Sequence, residues 1–219
     1  MAARRWSDDP EPMRPLIGRP GGPIRVVIVD DHAAIRLGLK SAIAARPGLV
    51  CVGVASNGEE LDPLLYRTRP DVVILDYHLP RTDGLLLCRR IKADVPSPAV
   101  LLYSAYADPA LVVPAVIAGA DGIVHKAAPA RELFEAIHTV ASGGTHLPAL
   151  IPELLSAARA AVDAEDRPIF DLLTASMPRS EIHARTGLSA GALDDRVDRM
   201  LARLRVPVGR PTAGASSTR

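Results

Sequence analysis

Acidic side chains stand where two short apolar runs of this sequence end. The run Ile24–Val29 is followed at once by Asp30 and Asp31, and the run Val72–Leu75 is followed by Asp76. Adjacent carboxylates repel, so each raises the free-energy cost of ionising the other. A divalent cation removes that cost, and oxygen ligands with open water positions suit Mg²⁺. These three carboxylates are candidates for one metal site, provided that the fold brings them together.

A hydroxyl and an amine follow two later apolar runs in the same way. Ser104 comes directly after the fourth run, and Lys126 lies just past the fifth. With a metal ion nearby, Asp76 is a plausible nucleophile toward phosphorus, because the metal bridges the carboxylate and the incoming phosphoryl oxygens. Lys126 would meet the negative charge that develops. The residue types therefore point to phosphoryl transfer onto a carboxylate.

The elements that must position these residues alternate in type. Short β-branched runs alternate with stretches in which apolar residues recur at helical spacing. Five such units predict an α/β fold with a five-stranded, doubly wound parallel sheet. Ligands of such sheets bind beyond the carboxyl ends of the strands, where all five candidate residues would lie. The runs are Ile24–Val29, Leu49–Ala55, Val72–Leu75, Ala99–Tyr103 and Gly122–Val124.

The pattern divides the chain into five segments. Residues 1–23 and 207–219 are rich in Pro, Gly or small polar residues, and both predict disordered tails. The sheet domain spans 24–145, and 146–166 reads as a linker that is helical in part. A small all-α domain follows over 167–206, where helical stretches are separated by a break around Gly187, the pattern of a helix-turn-helix.

Composition restricts the class of protein. The chain has 26 Lys+Arg and 25 Asp+Glu, so bulk charge indicates neither a nucleic-acid nor a membrane binder. No apolar run reaches the roughly 18 residues of a membrane span, and the amino terminus has no apolar signal segment. Cys51 and Cys88 are far apart and predict reduced packing residues rather than a disulfide. We expect a cytoplasmic protein without a membrane partner.

Four segments of the sheet domain resemble the receiver domain of bacterial response regulators. They read VVIVDDH, VVILDYHLPRTDG, LLYSA and GADGIVHK. The resemblance implies that Asp76 accepts a phosphoryl group from the phosphohistidine of a sensor histidine kinase. It also implies that Asp30, Asp31 and Asp76 hold Mg²⁺ together with the main-chain carbonyl of His78.

The same resemblance assigns roles to residues near the phosphoryl group. Ser104 would hydrogen-bond a phosphoryl oxygen, and Lys126 would pair with another. The position three before the lysine usually carries an aromatic ring that rotates inward on phosphorylation. Here that position is Ile123, so the resemblance predicts the phosphorylation site but not this readout.

Residues 175–206 resemble the helix-turn-helix of NarL/LuxR-type regulators. The core skeleton of that domain is present, whereas its usual opening, Leu-Thr-Pro-Arg-Glu, is absent before Ile169. The resemblance implies binding to promoter DNA, formation of a homodimer and control of transcription, rather than an enzyme. The skeleton comprises Ile182, Gly187, Leu188, Ser189, Leu193, Val197, Leu201 and Leu204, and the candidate DNA contacts are Arg179, Arg185, Arg196, Arg199 and Arg203.

Acidic residues in the last predicted helix support a second interpretation. Asp194 and Asp195 stand where the family commonly has Lys and Thr, and carboxylates repel DNA phosphates. Aspartate can still accept a hydrogen bond from cytosine. The alternative is that the helices bind a protein partner through Asp194, Asp195 and Asp198.

Other interpretations explain less of the pattern. Asp30 and Asp31 could cap a helix, and Asp76 could be a turn residue, but neither reading accounts for Lys126 in register. The spacing of His32, His78 and His125 does not suit tetrahedral zinc. A phosphatase of the haloacid-dehalogenase-like kind would place a second acid where His78 stands.

Overall fold

The computed structural model describes residues 22–80, 82–93, 96–105 and 109–205. The predicted tails lie almost wholly outside these ranges. Five strands form a parallel sheet in the order β2-β1-β3-β6-β7, and β4 and β5 form a separate antiparallel hairpin. The strands are β1 (Ile24–Val29), β2 (Leu49–Ala55), β3 (Val72–Asp76), β4 (His78–Leu79), β5 (Thr82–Asp83), β6 (Ala99–Ser104) and β7 (Gly122–His125). The predicted five-stranded α/β sheet is therefore confirmed.

Helices cover both faces of the sheet. Within the sheet domain they are α1 (Ala33–Ala44), α2 (Gly58–Thr68), α3 (Gly84–Ala93), α4 (Pro109–Ala118) and α5 (Ala130–Ala141). Helices α1 and α5 pack with Val26 and Ile28 on one face, and α2, α3 and α4 pack with Val27 and Val29 on the other. Because successive strand residues point to opposite faces, a strand covered on both sides is apolar throughout.

Four helices form the C-terminal part of the described chain. They are α6 (Pro152–Ala161), α7 (Arg167–Thr174), α8 (Arg179–Thr186) and α9 (Ala190–Arg203). Helix α8 ends at Gly187, which adopts a left-handed conformation with φ of 69°. The Ser189 hydroxyl then accepts a hydrogen bond from the Ala192 amide and caps α9. The turn between α8 and α9 thus lies where the sequence predicts it.

The C-terminal helices pack against α3 and α4 of the sheet domain. One continuous apolar cluster runs from Leu111 and Ile117 of α4 into Phe170 of α7 and Met200 of α9, and all four side chains are buried. Helix α4 is apolar around its whole circumference because the sheet covers one side and the C-terminal helices cover the other.

Across the described ranges, none of the helices combines the length and the apolarity that a bilayer crossing requires.

Candidate functional site

Three strand ends bring Asp30, Asp76 and Lys126 together. Asp30 follows β1, Asp76 is the last residue of β3, and Lys126 follows β7. The Lys126 Nζ atom lies 2.6 Å from Asp30 Oδ2 and 2.7 Å from Asp76 Oδ2. Both carboxylates are buried, with side chains 2% and 3% exposed. One amine thus bridges two acids that are 46 positions apart in sequence, as the predicted topology requires.

Asp31 adds a third carboxylate to this group. Ligand atoms of Asp30, Asp31, His32 and Asp76 all lie within 4.8 Å of one another. The His32 ring nitrogen Nδ1 is 2.7 Å from Asp31 Oδ1, and this ring is largely exposed. Three oxygen donors beside open solvent fit a hard divalent cation such as Mg²⁺. The sequence predicts that His32 lies near this pocket, and the structure places its ring beside the acids.

Burial and charge act in opposite directions on the two bridged groups. Burial raises the pKa of the Asp76 carboxyl above its ordinary range, although Lys126 acts to lower it. Burial alone would lower the pKa of Lys126, but hydrogen bonds and charge from Asp30 and Asp76 together raise it. Lys126 is therefore held as a cation between the carboxylates. One positive charge facing three acids leaves the pocket short of positive charge, which favours a further cation.

Ser104 lies beside Lys126. It is the buried last residue of β6, and its carbonyl accepts a hydrogen bond of 2.8 Å from the Lys126 amide. The His125 ring, one residue earlier, bonds the Ala105 carbonyl at 2.8 Å. These contacts fix the two strand ends to each other, so the hydroxyl and the amine predicted to contact one group stand on neighbouring strands.

His78 lies on the loop that follows Asp76. Its amide donates a hydrogen bond of 3.2 Å to Asp76 Oδ1, and its strand β4 pairs with β5. The turn into α3 needs glycine at Gly84, because a Cβ atom there would lie 2.6 Å from the carbonyl oxygens of Asp76 and Tyr77. Loop, hairpin and α3 are therefore packed tightly against the backbone of Asp76. The sequence segment TDG carried this signal, which the sequence reasoning did not use.

Ile123 lies inside the sheet domain. It belongs to β7, is 5% exposed and packs in the cluster that includes α4. Its amide also donates to the His146 carbonyl at 2.9 Å. The side chain at this position is thus an ordinary core residue.

The five arginines predicted as DNA contacts all form ion pairs within the C-terminal helices and the segment before α7. Arg179 pairs with Asp194, and Arg185 pairs with Glu181 at 2.9 Å. The other three lie on α9 and meet the acidic segment 163–166. These pairs are Arg196–Asp166 at 2.9 Å, Arg199–Asp166 at 3.1 Å and Arg203–Asp163 at 2.8 Å. The structure thus gathers Arg196, Arg199 and Arg203 at the segment 163–166, whereas Arg179 and Arg185 pair with other acids.

Asp166 is the buried centre of this arrangement. Its side chain is 1% exposed and accepts hydrogen bonds from Arg196 at 2.9 Å and from Arg199 at 3.1 Å. Sequence reasoning missed this residue. The sequence offered one signal for it. The acidic pair Glu165 and Asp166 is followed, in the last predicted helix, by two arginines three positions apart, Arg196 and Arg199.

The acids of α9 point in two directions. Asp194 and Asp198 face the sheet domain, where the Arg89 guanidinium on α3 lies 2.7 Å from Asp198 and 3.6 Å from Asp194. Asp195 is exposed. The acidic residues predicted as a single partner-facing surface are therefore divided between an internal contact and solvent.

Comparison with known proteins identifies the family of the sheet domain. The response regulator receiver domain family matches residues 26–138. The DNA-binding transcriptional activator DevR/DosR of Mycobacterium tuberculosis is 31% identical over 191 residues, covering 83% of this chain and 88% of the relative. The nitrate/nitrite response regulator NarL of Escherichia coli is 28% identical and covers 84% and 90%.

Solved structures agree with the sequence relatives. A LuxR-family two-component response regulator from Aurantimonas sp. superposes with a TM-score of 0.56 at 29% identity. The match covers 64% of this chain and 99% of that chain.

Proposed function

The chain belongs to the NarL/LuxR-type two-component response regulators, and we propose that its switch is phosphorylation of Asp76 by a sensor histidine kinase. A response regulator of this type controls transcription. The observation that carries the proposal is the shared contact of Asp30 and Asp76 with Lys126 at the carboxyl edge of the sheet.

Asp76 acts as the nucleophile in this mechanism. Its bond to phosphorus forms as the P–N bond of the kinase phosphohistidine breaks, and the imidazole leaves with the electron pair. Asp30, Asp31, Asp76 and the His78 main-chain carbonyl would hold Mg²⁺, which when bound would neutralise charge on the phosphoryl oxygens. Lys126 offers its ammonium protons and Ser104 its hydroxyl to those oxygens. Burial of Asp76 strengthens each of these interactions.

The output would be promoter binding by the helix-turn-helix formed by α8 and α9. DevR/DosR, which matches 83% of this chain and 88% of its own length, is described as a DNA-binding transcriptional activator. We propose 24–145 as the receiver, 146–166 as the linker and 167–206 as the DNA-binding domain, with the active form a homodimer. Cys51 and Cys88 are both free thiols, which is consistent with a protein of the reducing cytoplasm.

Intact mass after incubation with acetyl phosphate and Mg²⁺ tests the acceptor. We expect one added phosphoryl group on the wild type. We expect none on Asp76→Asn, because the asparagine side chain lacks the carboxylate that attacks phosphorus. Asp62→Asn is the matched control, because Asp62 is an exposed carboxylate on α2 and should leave the reaction unchanged. A phosphoryl group that persists on Asp76→Asn would assign the acceptor elsewhere.

A further inference from the structure

The hairpin β4–β5 and helix α3 connect the Asp76 site to α9. We infer that they transmit the phosphorylation state of Asp76 to α9 through two ionic contacts, Asp83–Arg205 and Arg89–Asp198. The inference rests on the proposed function, because it assumes that Asp76 is the acceptor. It concerns a different set of residues, none of which is among the acceptor and metal-binding residues proposed above.

Asp83 is a junction of three elements. Its backbone pairs with His78, two residues beyond the acceptor. Its Oδ1 atom accepts a hydrogen bond of 2.9 Å from the Leu85 amide at the start of α3. Its Oδ2 atom lies 3.5 Å from Nε of Arg205, just beyond the end of α9. A displacement of the His78 loop therefore moves the residue that holds both α3 and the end of α9.

Arg89 is the second connection, one and a half turns into α3. Its guanidinium meets both carboxylate oxygens of Asp198 at 2.7 Å and lies 3.6 Å from Asp194. The Arg89 side chain is only 16% exposed. The Nη2–Oδ2 contact is a hydrogen bond, and the second close contact, Nε to Oδ1, restrains the orientation of the two side chains as well as their separation. The Arg89–Asp198 contact thus restrains the orientation of α9 relative to α3 as well as the distance between the two helices.

Tight packing makes the path between acceptor and hairpin stiff. Gly84 leaves no space for a side chain above the Asp76 and Tyr77 carbonyls, and its amide bonds the Tyr77 carbonyl at 3.1 Å. The Asp76 carboxylate itself accepts from the His78 amide. A phosphoryl group adds negative charge and three further oxygens beside the His78 amide. The loop must respond, and close packing passes the movement to Asp83 and α3.

The position of Ile123 favours this route. A readout by aromatic rotation needs a ring at the edge of β7, whereas Ile123 is a buried core residue. The β4–β5 side supplies ionic contacts that reach α9 directly. Asp194, which departs from the basic pattern of the family, and Asp198 then have a defined partner in Arg89.

Hydrogen exchange of the full-length protein, followed by mass spectrometry of peptides from 189–204, tests the inference. The variants are Arg89→Gln, Asp83→Asn and Arg90→Gln. Asparagine keeps the oxygen that accepts from Leu85 and removes only the charge facing Arg205. Arg90 is the matched control, because it is the next residue of α3 and pairs with Asp62 of α2 rather than with α9.

Acetyl phosphate with Mg²⁺ should speed exchange of α9 in the wild type and in Arg90→Gln to the same extent. Without phosphodonor, Arg89→Gln should already exchange roughly five-fold faster in α9, as expected when a contact that protects a helix is lost. Asp83→Asn should accept the phosphoryl group by intact mass, yet lose at least half of the response of α9.

Two results would overturn the inference. One is wild-type exchange of α9 in unphosphorylated Arg89→Gln, and the other is a full phosphoryl response in Asp83→Asn. Absence of a phosphoryl group on the wild type by intact mass would instead contradict the proposed function. The comparison of unphosphorylated Arg89→Gln with Arg90→Gln would still decide whether Arg89 holds α9.

Discussion

The acceptor site and the C-terminal helices both rely on charged contacts, but they balance charge differently. At the acceptor site Asp30 and Asp76 share one Lys126, and Asp31 stands beside them. In the C-terminal helices each of the five candidate DNA-contacting arginines has a carboxylate of its own region. An excess of carboxylates over cations in a buried site favours the binding of a further cation, whereas balanced pairs stabilise the domain that contains them.

Burial sharpens the difference between the two regions. The Asp30 and Asp76 side chains are almost completely withdrawn from water, whereas Arg185, Arg199 and Arg203 are about half exposed. Exposed pairs contribute little to stability and exchange partners readily. DNA phosphates can therefore compete for the arginines, although each contact must first displace a carboxylate.

The largest expected effect is at the acceptor site. Asp30→Asn removes one of three carboxylates from the proposed metal site, so we expect phosphorylation by acetyl phosphate to slow about 100-fold at a fixed Mg²⁺ concentration. The measurement is a time course of intact mass over a range of Mg²⁺ concentrations. Glu59→Gln, an exposed carboxylate on α2, serves as the control. An unchanged phosphorylation rate in Asp30→Asn would show that the excess of carboxylates over cations is not what makes this site reactive.

A smaller effect is expected at the buried carboxylate of the C-terminal helices. Asp166→Ala leaves Arg196 and Arg199 without their common partner. Breaking a fully buried pair costs about 3–5 kcal/mol, and partial exposure of both arginines reduces this to about 2 kcal/mol. Denaturant unfolding measures the loss, with the exposed Glu153→Ala as control. A cost near zero would mean that the balanced pairs do not stabilise this region.

The smallest effect is expected in DNA binding. Asp194→Asn frees Arg179 and weakens the contact with Arg89, so we expect roughly three-fold tighter binding to duplex DNA at low salt and a slightly steeper salt dependence. Fluorescence anisotropy over a salt series measures both quantities. Asp195→Asn removes the same charge from the next residue of α9, which is exposed, and should change affinity less. Equal effects of the two variants would show that net charge alone matters.

Much of the acceptor site could be predicted because it depends on topology. Alternating apolar runs fix a parallel sheet, and residues that follow its strands must meet at one edge. That argument alone predicts that Asp30, Asp31, Asp76, Ser104 and Lys126 meet at one edge of the sheet. It needs no knowledge of side-chain conformation.

The C-terminal contacts could not be predicted in this way. Arginine on a predicted helix surface has several possible partners, and the choice between DNA and a carboxylate depends on tertiary packing. Arg89 and Asp198 are 109 positions apart, and no periodicity links them. Asp166 was missed for the same reason, since its burial follows from how α7 and α9 pack.

Helix α4 limits how freely the two halves of this protein can be separated. Its residues Val112 and Val113 are at most 4% exposed, because the C-terminal helices complete a core that the sheet begins. A receiver truncated at the linker would expose the apolar surface of α4 to water and would tend to self-associate. Chimaeras that graft this receiver onto another output domain must therefore supply a matching apolar cover, not merely a linker of suitable length.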